Sequence, residues 1–157
     1  MAQKMDAFSA ALMADKREII FAPTVYKFDT FATMAEEFKL NERDVVLTNE
    51  FIYTPFMKEL NLKCQYVFQE KFGAGEPSEA MIQTMYDAIP YDSYDRVIAV
   101  GGGAIMDLCK LLGCKRPDTV HNLYFKRFPV QHEKDVIAIP TTCGTGSECT
   151  NISVAIV

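Results

Sequence analysis

Apolar runs rich in β-branched residues alternate along the chain with segments of helical periodicity, and this alternation limits the fold more than any other feature. The runs Asp44–Thr48, Lys63–Phe68 and Asp95–Val100 leave little room for a water-facing side. Strands buried on both faces are typical of parallel sheets that carry helices on each side. The order β-α-β-α-β-α from Asp44 to Gly113 therefore predicts an α/β fold with a Rossmann-like, mostly parallel sheet and helices on both faces.

The same patterns give the bounds of the predicted elements. The predicted strands are Arg17–Ala22, Asp44–Thr48, Lys63–Phe68, Asp95–Val100, Lys134–Ile139 and Ile152–Val157. The predicted helices are Thr30–Phe38, Phe51–Leu60, Pro77–Ile89 and Ala104–Gly113. Pro77 suits a first helical turn because that position needs no amide hydrogen. The polar stretch Lys115–Glu133, which carries both histidines, predicts a long irregular connection.

Composition limits the partners of the chain. With 157 residues and 49% hydrophobic content, the chain is long enough for one domain with a hydrophobic core. A net charge of −5 favours neither nucleic acid nor a membrane surface, since both attract a basic field. No apolar run approaches the length of a membrane span. We therefore expect a small-molecule ligand, no nucleic acid and no membrane.

The cysteines and the two ends of the sequence carry further expectations. Five cysteines without a C-x-x-C spacing favour reduced thiols and a cytoplasmic location. Residues 1–16 contain an apolar patch but no clear cleavage site, which favours a short amphipathic leader over a secretory signal. The sequence stops at Val157 inside an apolar run, and an open strand there invites association. The expectation is the front part of a longer protein, with a strand that simply ends the sheet as the alternative.

A turn of three glycines follows the run Asp95–Val100. Gly101–Gly103 allow the backbone to approach a ligand, and the helix that follows offers free amides and the positive end of its dipole. This geometry favours a phosphate or pyrophosphate. Met106 stands where a G-x-G-x-x-G fingerprint has its third glycine, so a tight strand-to-helix turn is the alternative.

Two charged residues follow that glycine turn. Asp107 lies in the first turn of the predicted helix, where it complements the dipole, reaches a ribose or lies on the substrate side of the cofactor. Lys110 is one helical step further along and is expected to be a partly exposed, solvated charge.

The loop IPTTCGTGSECT, residues 139–150, is the other unusual segment. It combines hydroxyl side chains with glycines directly after the apolar run Lys134–Ile139 and has no apolar face to bury. In open α/β sheets, ligands bind beyond the strand carboxyl ends, where loops from neighbouring strands converge. A polar surface turn is the alternative, and a second such loop makes it less attractive. The hydroxyls predicted to contact ribose, phosphate or carboxamide groups belong to Thr141, Thr142, Thr145 and Ser147.

Asn49 follows the run Asp44–Thr48, at a position where an acidic residue often binds adenosine hydroxyls in nicotinamide-binding folds. Its amide donates and accepts hydrogen bonds without strongly repelling a 2′-phosphate. Glu50 fits a charge at the helix N-terminus. NAD is favoured over NADP as the cofactor, but Asn49 leaves NADP open.

The segments GGGAIMDLCK, Gly101–Lys110, and PTTCGTGSECT, Pro140–Thr150, together resemble the paired cofactor signatures of the iron-containing (group III) alcohol dehydrogenase family. The stretches VVLTNEFIY and GEPS fit the same family, and the resemblance covers residues 20–157. It implies the N-terminal dinucleotide-binding domain of the dehydroquinate synthase-like fold. The helical second domain of that fold is absent from these residues.

The resemblance also implies roles for individual residues. Asn49 stands where many members have a ribose-binding Asp, and Ala104 replaces the usual Ser, which removes a hydroxyl donor but keeps the amide. The residues that contact the pyrophosphate are Gly101, Gly102 and Gly103, with Ala104 at the next amide. Those that approach adenosine or phosphate are Thr141, Thr142 and Thr145, while Ser147 and Thr150 lie towards the nicotinamide half.

The activity implied is reversible hydride transfer between a primary alcohol and NAD, with a divalent metal, iron or zinc, holding the substrate oxygen in the full-length enzyme. Members that convert 4-hydroxybutyrate to succinate semialdehyde share the longest motifs with this chain, so an alcohol or aldehyde of this kind is the expected substrate. The alternatives are another short primary alcohol or diol and a non-catalytic nucleotide-binding module. The full-length form is expected to be a homo-oligomer.

The metal ligands of the family, one Asp and three His, come from its helical second domain. His121 and His132 match no such motif and are expected at the surface. Cys143 and Cys149 fit packing positions better than ligand positions. No catalytic or metal-binding residue is therefore assigned to residues 1–157, and the isolated chain is expected to bind NAD weakly without dehydrogenase activity.

Overall fold

The computed structural model describes residues 23–157, and these residues build a four-stranded sheet in which all neighbouring strands are parallel. The predicted α/β class is therefore confirmed. The strands are β1 (Asp44–Thr48), β2 (Gln65–Phe68), β3 (Arg96–Gly101) and β4 (Asp135–Pro140). Their spatial order is β2-β1-β3-β4.

Helices connect these strands and cover the sheet. They are α1 (Phe31–Glu37), α2 (Glu50–Phe56), α3 (Glu79–Ala88), α4 (Gly103–Gly113) and α5 (Val120–Tyr124). Short 3₁₀ turns lie at Lys58–Leu60, Gln69–Lys71, Tyr91–Ser93 and Ser147–Cys149. None of the helices described within residues 23–157 has the length and apolar character needed to cross a membrane.

Most element bounds agree with the sequence predictions to within about two residues, the usual uncertainty of an element end. The predicted helix Phe51–Leu60 is divided into α2 and the turn Lys58–Leu60. Pro55 lies inside α2 and has no amide hydrogen to continue the helical ladder, which accounts for the break. The predicted strand Arg17–Ala22 and the predicted leader segment 1–16 lie outside the described residues.

Pro77 does not open the third helix, contrary to the sequence prediction. Ser78 is the N-cap, and its hydroxyl accepts a hydrogen bond from the amide of Met81 at 3.3 Å. The stretch Lys115–Glu133 also differs from its prediction, because it contains the one-turn helix α5. Thr119 caps that helix by accepting a hydrogen bond from the amide of Asn122 at 3.3 Å.

The predicted strand Ile152–Val157 is wrong. Only Ile156 forms a bridge, and its partner is Ser78 at the start of α3. The amide of Ile156 donates to Pro77 and its carbonyl accepts from Glu79, so the backbone is bonded to the approach to α3 and not to β4. The apolar composition indicated burial, but Ile152, Val154 and Ile156 are exposed in the structure. The composition also carried no information on where the backbone groups are paired.

Side chains alternate across the sheet and divide its interior into two hydrophobic cores. On one face, Val45, Leu47, Val97 and Ala99 pack against helices α3, α4 and α5. On the other face, Val46, Ile98 and Val100 pack against Met34 of α1 and Ile52 of α2. Because β1 and the centre of β3 are buried on both faces, these strands read as continuous apolar runs.

The chain diverges between β1 and β3. The connection from β1 leads through α2 to β2 on one side, while the connection from β3 leads through α4 and α5 to β4 on the other. The buried hydroxyl of Thr48 donates to the carbonyl of Val100 at 2.8 Å and ties the two strand ends together. In open α/β sheets, the crevice beyond the carboxyl ends at such a switch point is the usual ligand site.

Because the centre of β3 is buried on both faces, we expect a valine substitution there to destabilise the protein much more than the same substitution at an exposed position. Val97 is fully buried in β3, so Val97→Ala removes two methyl groups from a packed core and should lower the free energy of unfolding by about 2–3 kcal/mol. Val130 is 65% exposed, and Val130→Ala should change it by less than about 0.5 kcal/mol. Urea unfolding of both variants measures the difference. Equal destabilisation by the two would contradict the assigned core.

Candidate functional site

The glycine turn (Gly101–Gly103) after β3 and the loop of residues 141–150 after β4, called the threonine loop, lie against each other at the carboxyl edge of the sheet. The amide of Thr141 donates to the carbonyl of Gly101 at 3.0 Å. A β-carbon on Gly102 would lie 3.2 Å from Thr142 Oγ1, and one on Gly103 would lie 3.1 Å from Thr145 Cγ2. Any side chain at these glycines would therefore press into the loop. These two segments were predicted from the sequence to be neighbours, and the structure brings them together.

The N-terminus of α4 presents unpaired backbone amides at this edge. Gly102 is the N-cap in an extended conformation and makes no side-chain capping bond. The first helical bond runs from the amide of Met106 to the carbonyl of Gly102 at 3.2 Å. Within residues 23–157, the amides of Gly102, Gly103, Ala104 and Ile105 have no acceptor, which is the normal state of a helix start without a cap. These amides and the helix dipole are groups that could bind an anion.

The loop of residues 141–150 owes its shape to two glycines in left-handed conformations. Gly144 has a φ of +104° and Gly146 has a φ of +65°, and a β-carbon at either would meet open space. Glycine is therefore required for the backbone conformation and not for lack of room. The exposed hydroxyls of Thr141 and Thr142 have no hydrogen-bond partner in the described part of the chain. They are available to a ligand.

Ser147 and Asp107 are directed at each other. Both are buried, with 7% and 8% of their surface exposed. The Ser147 hydroxyl donates to Asp107 Oδ1 at 2.6 Å and accepts from Lys110 Nζ at 2.6 Å. Lys110 is therefore not the solvated charge that was expected from the sequence. Its ammonium also contacts the exposed Thr150 hydroxyl at 3.3 Å, so one cluster holds three of the predicted site residues.

Asn49 lies at the same edge, at the end of β1. It is the N-cap of α2 without a side-chain capping bond, so its amide side chain is available to a ligand. An open cleft extends over one face of the sheet, from Arg96 and Asp135 at the amino ends of the strands to this edge and the base of the threonine loop. Among the residues that line it are Asn49, Gly102, Thr141, Thr142, Ser147 and Thr150.

Two carboxylates near the cleft were missed by the sequence analysis. Glu70 Oε1 accepts a hydrogen bond from the amide of Glu50 at 3.1 Å, which places a second acidic group beside Asn49. Glu148 lines the cleft, and its Oε2 atom is buried without a partner among the described residues. The Glu70 contact spans 20 residues of sequence, so no local pattern indicates it.

The residues at this edge fit a dinucleotide better than a metal. The glycine turn, the free amides and the unpaired hydroxyls match the needs of phosphate and ribose groups. Within the described residues, no three His, Cys, Asp or Glu side chains are grouped to hold a metal ion. The Nδ1 atom of His121 lies 3.7 Å from Glu79 Oε2, and its ring stacks on Phe125. The resemblance assigns the ligands of the iron or zinc to the second domain, and we assign no metal ligand within residues 23–157.

Comparison with known sequences identifies a protein family that matches almost all of the described residues. The family model described as iron-containing alcohol dehydrogenase matches residues 22–157. A 4-hydroxybutyrate dehydrogenase from Clostridium kluyveri is 48% identical over 134 residues, which make up 85% of this chain and 36% of that protein.

Solved structures show the same fold. An iron-containing alcohol dehydrogenase from Thermotoga maritima is 28% identical with a TM-score of 0.56, covering 76% of this chain and 35% of its own. A sulfoacetaldehyde reductase from Bifidobacterium kashiwanohense, solved in complex with NAD⁺, is 21% identical with a TM-score of 0.59. That match covers 76% of this chain and 33% of the reductase. The chain thus spans about a third of the length of these relatives.

Proposed function

The chain belongs to the iron-containing alcohol dehydrogenase family, and we propose that residues 23–157 form a dinucleotide-binding domain that holds NAD at the carboxyl edge of the sheet. The observation that carries this proposal is the contact between the glycine turn and the threonine loop at the switch point between β1 and β3. A ligand held between two such loops is surrounded by backbone amides and hydroxyls, which suits a pyrophosphate with its riboses.

The pyrophosphate is assigned to the glycine turn. Gly102 and Gly103 let the backbone approach it, and the amide of Ala104 completes the donor set. Gly101 was predicted to do the same, but its missing side chain makes room for Ile105 of α4. The positive end of the 11-residue helix α4 adds a favourable potential at this position. No lysine or arginine side chain is needed there, since backbone donors in a helix N-terminus bind phosphate on their own.

The hydroxyls of the threonine loop are assigned to the rest of the cofactor. Thr141, Thr142 and Thr145 are exposed towards the glycine turn and suit the adenosine and phosphate groups. Thr150 lies further along the loop, towards the nicotinamide half. Asp107 and Ser147 are engaged with each other, so their part in cofactor binding is to hold the loop from below.

The acidic residues beside Asn49 support NAD over NADP. Thr48 is paired with Phe68 in β2 and with Val100 in β3. Two positions after these three paired residues come Glu50, Glu70 and Gly102, which therefore leave the sheet at the same level. Neighbouring strands are about 4.8 Å apart, which brings the Glu70 carboxylate near the adenosine ribose bound beside Asn49. A 2′-phosphate at this place would meet like charge.

We assign the whole enzyme the reversible oxidation of 4-hydroxybutyrate to succinate semialdehyde. The support is the 48% identity to a 4-hydroxybutyrate dehydrogenase over the matched third of that protein. Bound NAD supplies the hydride acceptor, and residues 23–157 bind and orient it. The 157-residue chain alone is expected to bind NAD without oxidising alcohol. A comparison of kcat/KM for 4-hydroxybutyrate and butane-1,4-diol separates this substrate from a short diol.

The cellular setting is part of the same proposal. All five cysteines are free thiols and two of them, Cys143 and Cys149, are exposed, which fits a reducing cytoplasm. Burial raises the pKa of Cys64 to about 11, which lowers the reactivity of that thiol. We further propose that the full-length form is a homo-oligomer.

Replacing Gly102 tests the cofactor site. Gly102→Leu should abolish measurable NAD binding, because even its β-carbon would lie 3.2 Å from Thr142 Oγ1 and the longer side chain fills the space assigned to the pyrophosphate. Ala80→Leu adds similar bulk on the exposed side of α3 and should leave binding unchanged. Calorimetric titration with NAD measures both, with far-ultraviolet circular dichroism as the folding control. A folded Gly102→Leu variant with unchanged affinity would remove the pyrophosphate assignment.

A charge reversal at Glu70 tests the preference for NAD. In the full-length enzyme, Glu70→Lys removes a negative charge beside the adenosine ribose and adds a positive one, so the ratio of kcat/KM for NADP to that for NAD should rise by roughly tenfold or more. Glu59→Lys makes the same charge change at an exposed position beyond the far end of α2 and should leave the ratio unchanged. Equal ratios in the two variants would show that Glu70 does not face the ribose.

A further inference from the structure

Lys110 is enclosed where α4 meets the segment that follows the threonine loop. Only 12% of its side chain is exposed. Its ammonium donates to Ser147 Oγ at 2.6 Å, to the carbonyl of Ile152 at 2.6 Å, to Asp107 Oδ1 at 3.2 Å and to Thr150 Oγ1 at 3.3 Å. Three of these four acceptors belong to residues 147–152, so one side chain holds the whole end of the loop.

Asp107 holds the same segment from the other side of the ion pair. Its Oδ1 atom accepts from Ser147 Oγ at 2.6 Å and its Oδ2 atom accepts from the amide of Val154 at 3.1 Å. Its backbone carbonyl accepts from the hydroxyl of Ser153 at 3.1 Å. Asp107 and Lys110 therefore contribute three hydrogen bonds each between α4 and residues 147–154.

We infer that Asp107 and Lys110 are positioning residues that set the place of the threonine loop over the glycine turn. The loop has exposed side chains from residue 141 to 145 and two left-handed glycines, so its own packing holds it weakly. Its position is fixed at its two ends. At one end the amide of Thr141 is bonded to Gly101, and at the other end the Asp107–Lys110 pair is bonded to Ser147.

The hydrogen-bonding groups of Lys110 and Ser147 are already used within the protein, which distinguishes the positioning role from direct binding or catalysis. An ammonium has three N–H donors, and Lys110 already has four acceptors within 3.3 Å. It has no donor left for the carboxylate of a hydroxy-acid substrate. Ser147 uses its only proton towards Asp107 and accepts from Lys110, so it is neither a free donor nor an activated nucleophile.

Because the Asp107–Lys110 pair is largely buried, the loss of one partner should have a large effect on the loop. An ion pair on the surface contributes little, because water screens it and its side chains are mobile. When one partner of a buried pair is removed, the other is left as an uncompensated charge and the surrounding segment moves to solvate it. The loss of either charge should therefore displace residues 147–154 and, with them, the hydroxyls of the loop.

The inference rests on the proposed NAD site, and its test uses the full-length enzyme. Lys110→Met keeps the length of the side chain and removes the charge. It should raise the KM for NAD by about tenfold or more, with a smaller change in kcat, because the displaced loop weakens the binding of cofactor. Lys115→Met removes an exposed lysine just beyond α4 and should leave the KM unchanged. A wild-type KM in a folded Lys110→Met variant would overturn the inference.

The double variant Asp107→Asn/Lys110→Met covers the case in which the single variant does not fold. It leaves no unpaired charge, so it should be more stable than either single change predicts while the loop is still released. Its KM for NAD should stay raised, and a wild-type value would overturn the positioning role.

The hydrogen bonds from Asp107 and Lys110 to residues 147–154 form a clasp on the end of the loop. Hydrogen exchange without NAD tests this clasp separately from the cofactor site. Amide exchange in residues 147–154 should be faster in the double variant than in the wild type, because the amide of Val154 loses its charged acceptor. Faster exchange in an enzyme that does not bind NAD would mean that the clasp exists and that the cofactor proposal is wrong. Unchanged exchange would overturn the clasp itself.

Discussion

The parallel register between β3 and β4 is the constraint on which the site depends. It pairs Gly101 with Pro140, the last residue of β4, so the glycine turn and the threonine loop leave the sheet at the same level. The bond from Thr141 to Gly101 extends this pairing into the loops, and the absent side chains of Gly102 and Gly103 allow the close approach that follows. A shift of one residue in this register would turn every side chain of β4 to the opposite face and separate the two loops.

The proposed site attracts an anion mainly through backbone groups. The sequence as a whole carries a net charge of −5, and Lys110, whose ammonium is bonded to Ser147, is used to hold the threonine loop. The attraction instead comes from the unpaired amides and dipole of α4. Charged side chains then serve two other purposes at this edge. We propose that the Asp107–Lys110 pair fixes the position of the threonine loop and that the carboxylate of Glu70 disfavours a cofactor with an additional phosphate.

Features that depend on local sequence patterns were predicted correctly, whereas features that depend on contacts between distant residues were not. The bounds of β1 are predicted correctly because burial on both faces leaves an unbroken apolar run. The run Ile152–Val157 looks equally apolar, yet its backbone is bonded to the start of α3 and to Asp107. Lys110 was misjudged for the same reason, since its loop partners are 37 to 42 residues away. The glycine turn and the threonine loop were each ambiguous alone, and together they were informative because parallel strands end at one edge.

The central claim is that the backbone amides of Gly102, Gly103 and Ala104 contact the pyrophosphate of NAD. Titration of ¹⁵N-labelled protein with NAD, followed by nuclear magnetic resonance, tests this directly. Saturable chemical-shift changes at these three amides, with no change at Gly75 in the loop before α3, are the predicted result. NAD binding that leaves the three amides unshifted would contradict the account.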